Sequence, residues 1–227
     1  MTFDSTSPEF PEFKQARCLV TGGAGFIGSH IVDRLLASGA HVTVLDNFSS
    51  GSRANLAAAH HAGPDRLEVI DGTITHWETV FPLVEKSHYV FHLGARPSVT
   101  LSIQAPSQSH EANIQGTFVM LEAARLCHER KTGLRRFVNT SSSSVYGNTP
   151  QLPKSEEMAG NTLSPYALQK WTGENYARLY HSLYGLPTVS IRPFNVFGPR
   201  QDPKSQYSAA IPRFIAAAFA NIHCAFK

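Results

Sequence analysis

The sequence lacks the residue patterns of a disulfide-stabilised or metal-binding protein. It has three cysteines, Cys18, Cys127 and Cys224, and an odd number at wide spacing indicates neither a disulfide framework nor a zinc site. The 11 histidines form no HExxH motif and no Cys/His set with the spacing of metal ligands. We therefore expect no structural disulfides and no bound metal.

Clusters of basic residues and long hydrophobic runs are also missing. The formal net charge is only +3 and the lysines and arginines are scattered, which argues against binding of nucleic acid. No apolar run approaches the ~20 residues needed to cross a bilayer. The first residues include acidic residues and prolines but no basic stretch followed by an apolar one. We expect a cytoplasmic protein that binds neither membrane nor nucleic acid, with 1–16 as a leader.

The residues that are present are typical of a folded α/β protein. With 42% apolar and 16% charged residues, the chain can bury a substantial core. Strand-like runs alternate with segments that are mostly long enough for helices. These runs read RCLVTG, HVTVLD, RLEVID, HYVFHLGA, RRFVNTSS and TVSIRPFN. We predict a doubly wound parallel sheet with strand order 3-2-1-4-5-6 and a ligand crevice at the carboxyl ends of the strands.

A glycine-rich turn stands between the first predicted strand and the first predicted helix. The stretch CLVTGGAGFIGSHIVDRLL contains Gly22, Gly23, Gly25 and Gly28, followed by apolar residues at helical spacing. Glycines at such a turn allow the backbone to approach a pyrophosphate, and the helix N–H groups point at the anion. The strand–turn–helix context makes this pattern more specific than the glycines alone. It predicts a dinucleotide site.

Asp46 ends the second predicted strand, 18 residues after Gly28. A carboxylate near this position can accept hydrogen bonds from the hydroxyls of the adenosine ribose and repels the 2′-phosphate of NADP. A turn-forming aspartate is the alternative interpretation of this residue taken alone, and the nearby Arg53 could accept a 2′-phosphate. Together with the glycine turn, the spacing favours NAD.

A tyrosine and a lysine lie four residues apart in SPYALQK. Ser164 and Pro165 suit the N-cap and the first position of a helix, which places Tyr166 and Lys170 on one helical face. A phenol with a pKa of about 10 is a weak base at neutral pH, but an ammonium and a positively charged nicotinamide beside it would favour the phenolate. A serine hydroxyl from NTSSSSVYG could orient the same substrate oxygen. Each feature alone is more often structural, but together they indicate a proton-transferring site beside a hydride acceptor.

With these motifs in order, the chain resembles the extended short-chain dehydrogenase/reductase superfamily and, within it, the nucleotide-sugar 4-epimerases. The matching segments are TGGAGFIGSH, LDNFSSG, FHLGARPSV, NIQGT, SSSSVYG, SPYALQK and IRPFNVFGPRQDP. The resemblance implies a Rossmann fold, NAD as cofactor and C4 epimerisation of a UDP-sugar through a 4-keto intermediate, and it is compatible with a homodimer. It also implies a cofactor domain over 17–195 that carries the catalytic residues, with 196–227 as the start of a small, incomplete substrate lobe.

The resemblance also assigns individual residues. Tyr166 would be the acid/base, Lys170 would hold the nicotinamide ribose and tune Tyr166, and Ser142 would be the third catalytic group. Asn113 would support the site. The NAD site would comprise Gly22, Gly25, Phe26, Ile27, Gly28, Asp46, Asn47, Ser50, Ala95, Tyr166 and Lys170. The UDP-sugar would contact Ser98, Ser142, Ser143, Asn195 and Tyr207.

Two alternatives to a 4-epimerase stay open. Relatives that dehydrate or decarboxylate nucleotide sugars generally carry acidic residues where this chain has Ser143 and Ser144, so epimerisation is the better match, but a decarboxylase, dehydratase or reductase of the same superfamily is the second hypothesis. The third is a truncated, catalytically silent NAD-binding protein, because relatives continue beyond the point where this chain stops. Thr73 departs from the acidic residue that is usual at its position and weakens the expected adenine contact.

Overall fold

A computed structural model describes residues 10–62, 65–202 and 210–219. Six parallel strands form one sheet in the order β3-β2-β1-β4-β5-β6. The strands are β1 Arg17–Thr21, β2 His41–Asp46, β3 Leu67–Asp71, β4 Tyr89–His92, β5 Arg136–Thr140 and β6 Thr188–Ile191. The predicted sheet and its strand order are confirmed.

Helices connect the strands. They are α1 Phe26–Ala37, α2 Trp77–Glu85, α3 Val99–Gln104, α4 Pro106–His110, α5 Gly116–Glu129, α6 Pro165–Tyr184 and α7 Ala210–Phe219. A single π-helical segment, Glu111–Gln115, joins α4 to α5. The predicted start of α6 is confirmed, because the Ser164 hydroxyl accepts a hydrogen bond from the N–H of Ala167 and Pro165 occupies the first turn. None of the described helices is long and apolar enough to span a membrane.

Two hydrophobic clusters pack against the sheet. One contains residues of α1 and β2 together with Cys18 of β1, and the other contains residues of α2, α5 and α6 together with Cys127. Burial raises the pKa of the Cys18 thiol to about 12 and also raises that of Cys127. Each cluster therefore contains one unreactive buried thiol.

An inner strand and an edge strand of the sheet differ in how they are covered. Phe13, within the segment predicted as a leader, packs on the inner strand β4, with its ring centroid 5.1 Å from that of Tyr89. Val189 and Ile191 of the edge strand β6 are 42% and 43% exposed. The central strand β1 lies between β2 and β4, where the direction of strand order reverses. The carboxyl ends of these strands form the crevice where a doubly wound fold binds its ligand. The proposed domain boundaries stay predictions.

Candidate active site

The glycine turn brings the backbone of β1 against the start of α1. A Cβ atom on Gly28 would lie 2.2 Å from the carbonyl oxygen of Gly22, and one on Gly22, whose φ is +68°, would lie 2.9 Å from the nitrogen of Gly94. Side chains at these two positions would therefore displace the backbone. Gly25 is the N-cap of α1 and supplies no side-chain cap. The N–H groups of the first turn, including those of Phe26 and Ile27, are thus available to an anion such as a pyrophosphate.

Asp46 fixes the neighbouring wall of the crevice. Its Oδ2 accepts a hydrogen bond from the N–H of Ala24 at 2.9 Å, and its Oδ1 accepts one from the N–H of Phe48 at 2.8 Å. Asp46 therefore forms a turn and also lies beside the glycine loop, whereas its binding of the ribose hydroxyls stays a prediction. Each carboxylate oxygen keeps a second lone pair that can accept from a ribose hydroxyl.

The other predicted cofactor residues lie along the same edge of the sheet. Asn47 and Ser50 follow β2 and are exposed, whereas Ala95 follows β4 and is partly buried. Arg53, the residue that complicated the choice between NAD and NADP, forms an ion pair with Asp71 at 3.3 Å. Its guanidinium also lies 4.2 Å from the centroid of the Phe48 ring. Both contacts involve the guanidinium that a 2′-phosphate would need.

The three predicted catalytic residues meet at the start of α6. Lys170 Nζ donates to the carbonyl oxygen of Thr140 at 2.9 Å, at the end of β5. Ser142 follows the same strand, and its hydroxyl accepts a hydrogen bond from the N–H of Ser144 at 3.2 Å. Ser142 lies close enough to the Tyr166 phenol for its side chain to lower the pKa of that phenol. The strand end and the helix therefore bring Ser142, Tyr166 and Lys170 together, and their catalytic roles stay predictions.

Burial sets the protonation of the two basic groups. It lowers the pKa of Lys170 to about 8. Burial also raises the pKa of Tyr166, and hydrogen bonding from Ser142 only partly opposes this effect. The protein by itself therefore favours a neutral phenol at pH 7. An added positive charge beside Tyr166, such as that of an oxidised nicotinamide, would be needed to favour the phenolate.

A buried amide network lies behind Lys170. Asn113 Nδ2 donates to the side-chain oxygen of Gln169 at 2.8 Å, and the Ser109 hydroxyl donates to the same oxygen at 2.7 Å. Asn113 Oδ1 accepts from the N–H of Arg96 at 2.8 Å. Asn113 thus connects the π-helical segment to α6 and to the loop after β4, in agreement with its expected supporting role. Gln169 was missed, although its place beside Lys170 in SPYALQK was an available signal.

His92 is a second buried group that sequence reasoning missed. Its Nε2 lies 3.0 Å from the Thr117 hydroxyl, which itself donates to the carbonyl oxygen of Asn113 at 2.7 Å. Nε2 must therefore carry the proton, and Nδ1 accepts from the Thr21 hydroxyl at 2.9 Å. Burial, with a smaller contribution from the charge of Lys170, lowers the pKa of His92 to about 3. A neutral imidazole thus joins β1, β4 and α5.

The residues predicted to contact the sugar nucleotide lie in different parts of the fold. Ser143 lies in the turn after Ser142, and its N–H donates to the carbonyl oxygen of Pro193 at 3.1 Å. Ser98 is buried and caps α3 by accepting from the N–H of Leu101 at 2.7 Å. Asn195 is exposed beyond β6, and Tyr207 lies outside the described residues. Within the described ranges, no three His, Cys, Asp or Glu side chains are grouped so that they could hold a metal ion.

Comparison with known proteins assigns the chain to a family. Residues 18–224 match the NAD dependent epimerase/dehydratase family. The chain belongs to this family. A UDP-glucose 4-epimerase of Mycolicibacterium smegmatis is 45% identical over 192 residues, which are 84% of this chain and 59% of that protein. The match confirms the family resemblance expected from the motifs.

Two solved structures of similar sequence have the same fold. A UDP-N-acetylglucosamine 4-epimerase from Methanobrevibacter ruminantium, in complex with UDP-N-acetylmuramic acid, has a TM-score of 0.84 and 38% identity, covering 92% of this chain and 64% of that one. The UDP-glucose 4-epimerase of Thermus thermophilus in complex with NAD has a TM-score of 0.73 and 38% identity, covering 84% and 59% of the two chains. This epimerase/dehydratase-family chain thus spans about three fifths of the length of such relatives.

Proposed function

We propose that this chain binds NAD and epimerises C4 of a UDP-sugar through a 4-keto intermediate. The observation that carries the proposal is the convergence of Ser142, Tyr166 and Lys170 at the crevice that the glycine turn also borders. The unblocked first turn of α1 and the second lone pairs of Asp46 fit a dinucleotide. NAD, when bound, supplies the hydride acceptor.

The side chains divide the remaining work. Tyr166 takes the proton from the 4-hydroxyl as C4 is oxidised and returns it when C4 is reduced from the opposite face. Ser142 hydrogen bonds to the same sugar oxygen and orients it. Lys170, when protonated, favours the phenolate form of Tyr166 by its charge. Ser143 and Ser144 supply no acidic group for proton removal from carbon, which supports epimerisation over dehydration or decarboxylation. A cytoplasmic location and a homodimer stay predictions.

The test follows the conversion of UDP-glucose and UDP-N-acetylglucosamine into their galacto epimers by the purified chain with NAD. We expect epimerisation without net NADH. Tyr166→Phe keeps the ring but removes the proton carrier, so it should lower the turnover by ~10²–10⁴-fold while calorimetric NAD binding is retained. Tyr176→Phe, on the exposed face of the same helix, is the matched control and should keep full turnover.

The other outcomes separate the alternatives. Carbon dioxide or a dehydrated keto sugar as product would assign a different reaction of the superfamily. NAD binding with no conversion of either sugar would favour the silent NAD-binding protein. A fully active Tyr166→Phe variant would remove Tyr166 from the mechanism.

A further inference from the structure

An ion pair connects the segment after β6 to the helix of the glycine turn. Arg200 Nη2 donates to Asp33 Oδ2, between residues 167 positions apart. The Asp33 side chain is 5% exposed and that of Arg200 is 22% exposed. Because a buried carboxylate is costly without a partner, this pair favours the packed position of the segment over an open one.

A second set of contacts joins the same two elements. His30 Nε2 donates to the carbonyl oxygen of Pro199 at 3.0 Å. A Cβ atom on Gly198 would lie 3.7 Å from the Phe26 ring, whose centroid is 5.8 Å from that of His30. Phe26, His30 and Asp33 follow each other at spacings of four and three residues, so they occupy one face of α1. We call the contacts of 198–200 with this face the latch.

The backbone of the latch is held in an unfavourable conformation. Arg200 has a φ of +67°. This value lies in the left-handed region, which residues other than glycine and asparagine rarely adopt. In the described part of the chain, Asp33 Oδ1 and Arg200 Nη1 are buried and have no hydrogen-bond partner. The observed contact between the two side chains is the charge-assisted hydrogen bond from Nη2 to Oδ2. The side-chain contacts therefore hold the strained backbone in place.

We infer that Asp33 and Arg200 are positioning residues that couple NAD binding at α1 to the segment that carries Asn195. The latch begins at Phe26, in the first turn of α1, where the pyrophosphate would bind, and ends five residues beyond Asn195. A ligand that makes α1 more rigid therefore reduces the fraction of molecules in which the latch contacts are broken. This inference rests on the proposed NAD binding. In this account, Asp33 and Arg200 order the segment that carries Asn195 before the sugar nucleotide binds.

The first experiment measures backbone amide hydrogen exchange by mass spectrometry in the chain without NAD. Asp33→Asn and Arg200→Gln should each speed exchange in the peptide covering 196–201 by about tenfold or more, as expected for loss of a hydrogen bond between charged groups. Arg200→Lys keeps the charge and should restore part of the protection. Glu129→Gln breaks an ion pair with Arg125 on α5 and should leave this peptide unchanged. If exchange in this peptide is unchanged in both Asp33→Asn and Arg200→Gln, the ion pair does not hold the segment in place.

The second experiment adds NAD at a concentration that calorimetry shows to be saturating. In the wild type, NAD should slow exchange in 196–201, and in Asp33→Asn this effect should be lost although NAD still binds with an affinity within about twofold. A purely structural ion pair would not alter the response to NAD. If NAD binds without protecting 196–201 in the wild type, the coupling is wrong. If calorimetry detects no NAD binding, the proposed function and the coupling both fail, whereas exchange without NAD still decides whether the pair holds the segment.

Discussion

At the scale of single residues, Lys170 combines a functional position with an unfavourable environment. Its pKa falls from 10.5 to about 8 because burial disfavours the ammonium. Below pH 8 both the folded and the unfolded chain carry the proton, so the cost of burial is present in full. Between pH 8 and 10.5 the unfolded chain binds more protons than the folded one, and this residue's contribution to stability rises with pH.

We predict that Lys170→Met stabilises the unliganded chain. At pH 7 the free energy of unfolding should rise by about 1–3 kcal/mol, which is the cost of burying the charge less the hydrogen bond lost to Thr140. Urea unfolding at pH 7 and pH 10 measures the effect, and the gain should shrink at the higher pH. Lys86→Met, at an exposed position, should show no such pH dependence. A variant less stable than the wild type at pH 7 would contradict this account.

Sequence reasoning named the candidate reacting groups but only one of the groups that hold them. Tyr166 and Lys170 are recognisable because helical spacing alone places them on one face, and Asn113 was expected from the family resemblance. Ser102, whose hydroxyl accepts from the N–H of Tyr166 at 3.0 Å, was not recognisable, because it lies far from Tyr166 along the chain. His92 is similar, since its role depends on two threonines that come near it only in the folded sheet. No local pattern records such distant partners.

At the scale of elements, β6 is tied to α6 through one arginine. Arg192 Nε lies 2.9 Å from Glu174 Oε2 on α6, and its Nη2 donates to the other carboxylate oxygen. The guanidinium lies 4.8 Å from the centroid of the Tyr146 ring and 5.4 Å from that of Trp171. Tyr146 ends the turn that begins after Ser142. The ion pair and the ring contacts therefore connect the end of β6, α6 and the turn after Ser142.

We predict that the Arg192–Glu174 pair is non-additive. Arg192→Met or Glu174→Met alone should lower the free energy of unfolding by about 3–5 kcal/mol, because each leaves an uncompensated buried charge, and the double variant should recover most of this loss. Urea unfolding of the four proteins measures the coupling. Arg130→Met, from a more exposed pair with Glu85 at 3.9 Å, should cost less than ~1 kcal/mol. Additive losses in the double variant would show that the two side chains act independently.

The regular elements were more predictable than their connections. Each of the six strands was visible as a short apolar run, and the rule of right-handed crossovers then gave the strand order. The segment from Ser98 to Gln115 was not resolved into elements, because two short helices and a π-helical segment there depend on caps and on the buried network around Asn113. Such features follow from tertiary contacts and not from periodicity.

At the scale of the whole molecule, the predicted NAD contacts lie within the sheet and its helices, whereas some of the predicted sugar-nucleotide contacts lie beyond them. The residues predicted to bind NAD all lie between Gly22 and Lys170, within the sheet and its helices. Two of the predicted sugar-nucleotide contacts, Asn195 and Tyr207, lie beyond β6, and the chain spans only 59% of the mycobacterial relative. Phe194 and Phe197, next to Asn195, are 60% and 57% exposed.

We predict that the chain binds NAD more tightly than it binds UDP-glucose. Contacts remote from C4 provide much of the binding energy for a nucleotide sugar and position the reacting carbon, so their loss should weaken both affinity and turnover. Calorimetry with NAD, UDP and UDP-glucose measures the difference. Fusion to the remaining length of the mycobacterial relative should improve UDP-glucose binding by tenfold or more and leave NAD binding unchanged. Equal UDP-glucose affinity in the two proteins would mean that the sugar pocket lies within these 227 residues.

The two buried thiols allow the opposite faces of the sheet to be observed separately. Cys18 belongs to the cluster beneath α1, and Cys127 belongs to the cluster beneath α2, α5 and α6. With Cys224 replaced by serine, an alkylating reagent can modify either thiol only after the layer that covers it has opened. Equal labelling rates would mean that the two layers unfold as one cooperative unit. A faster rate at Cys127 would mean that the layer of α2, α5 and α6 opens while the layer of α1 is still folded.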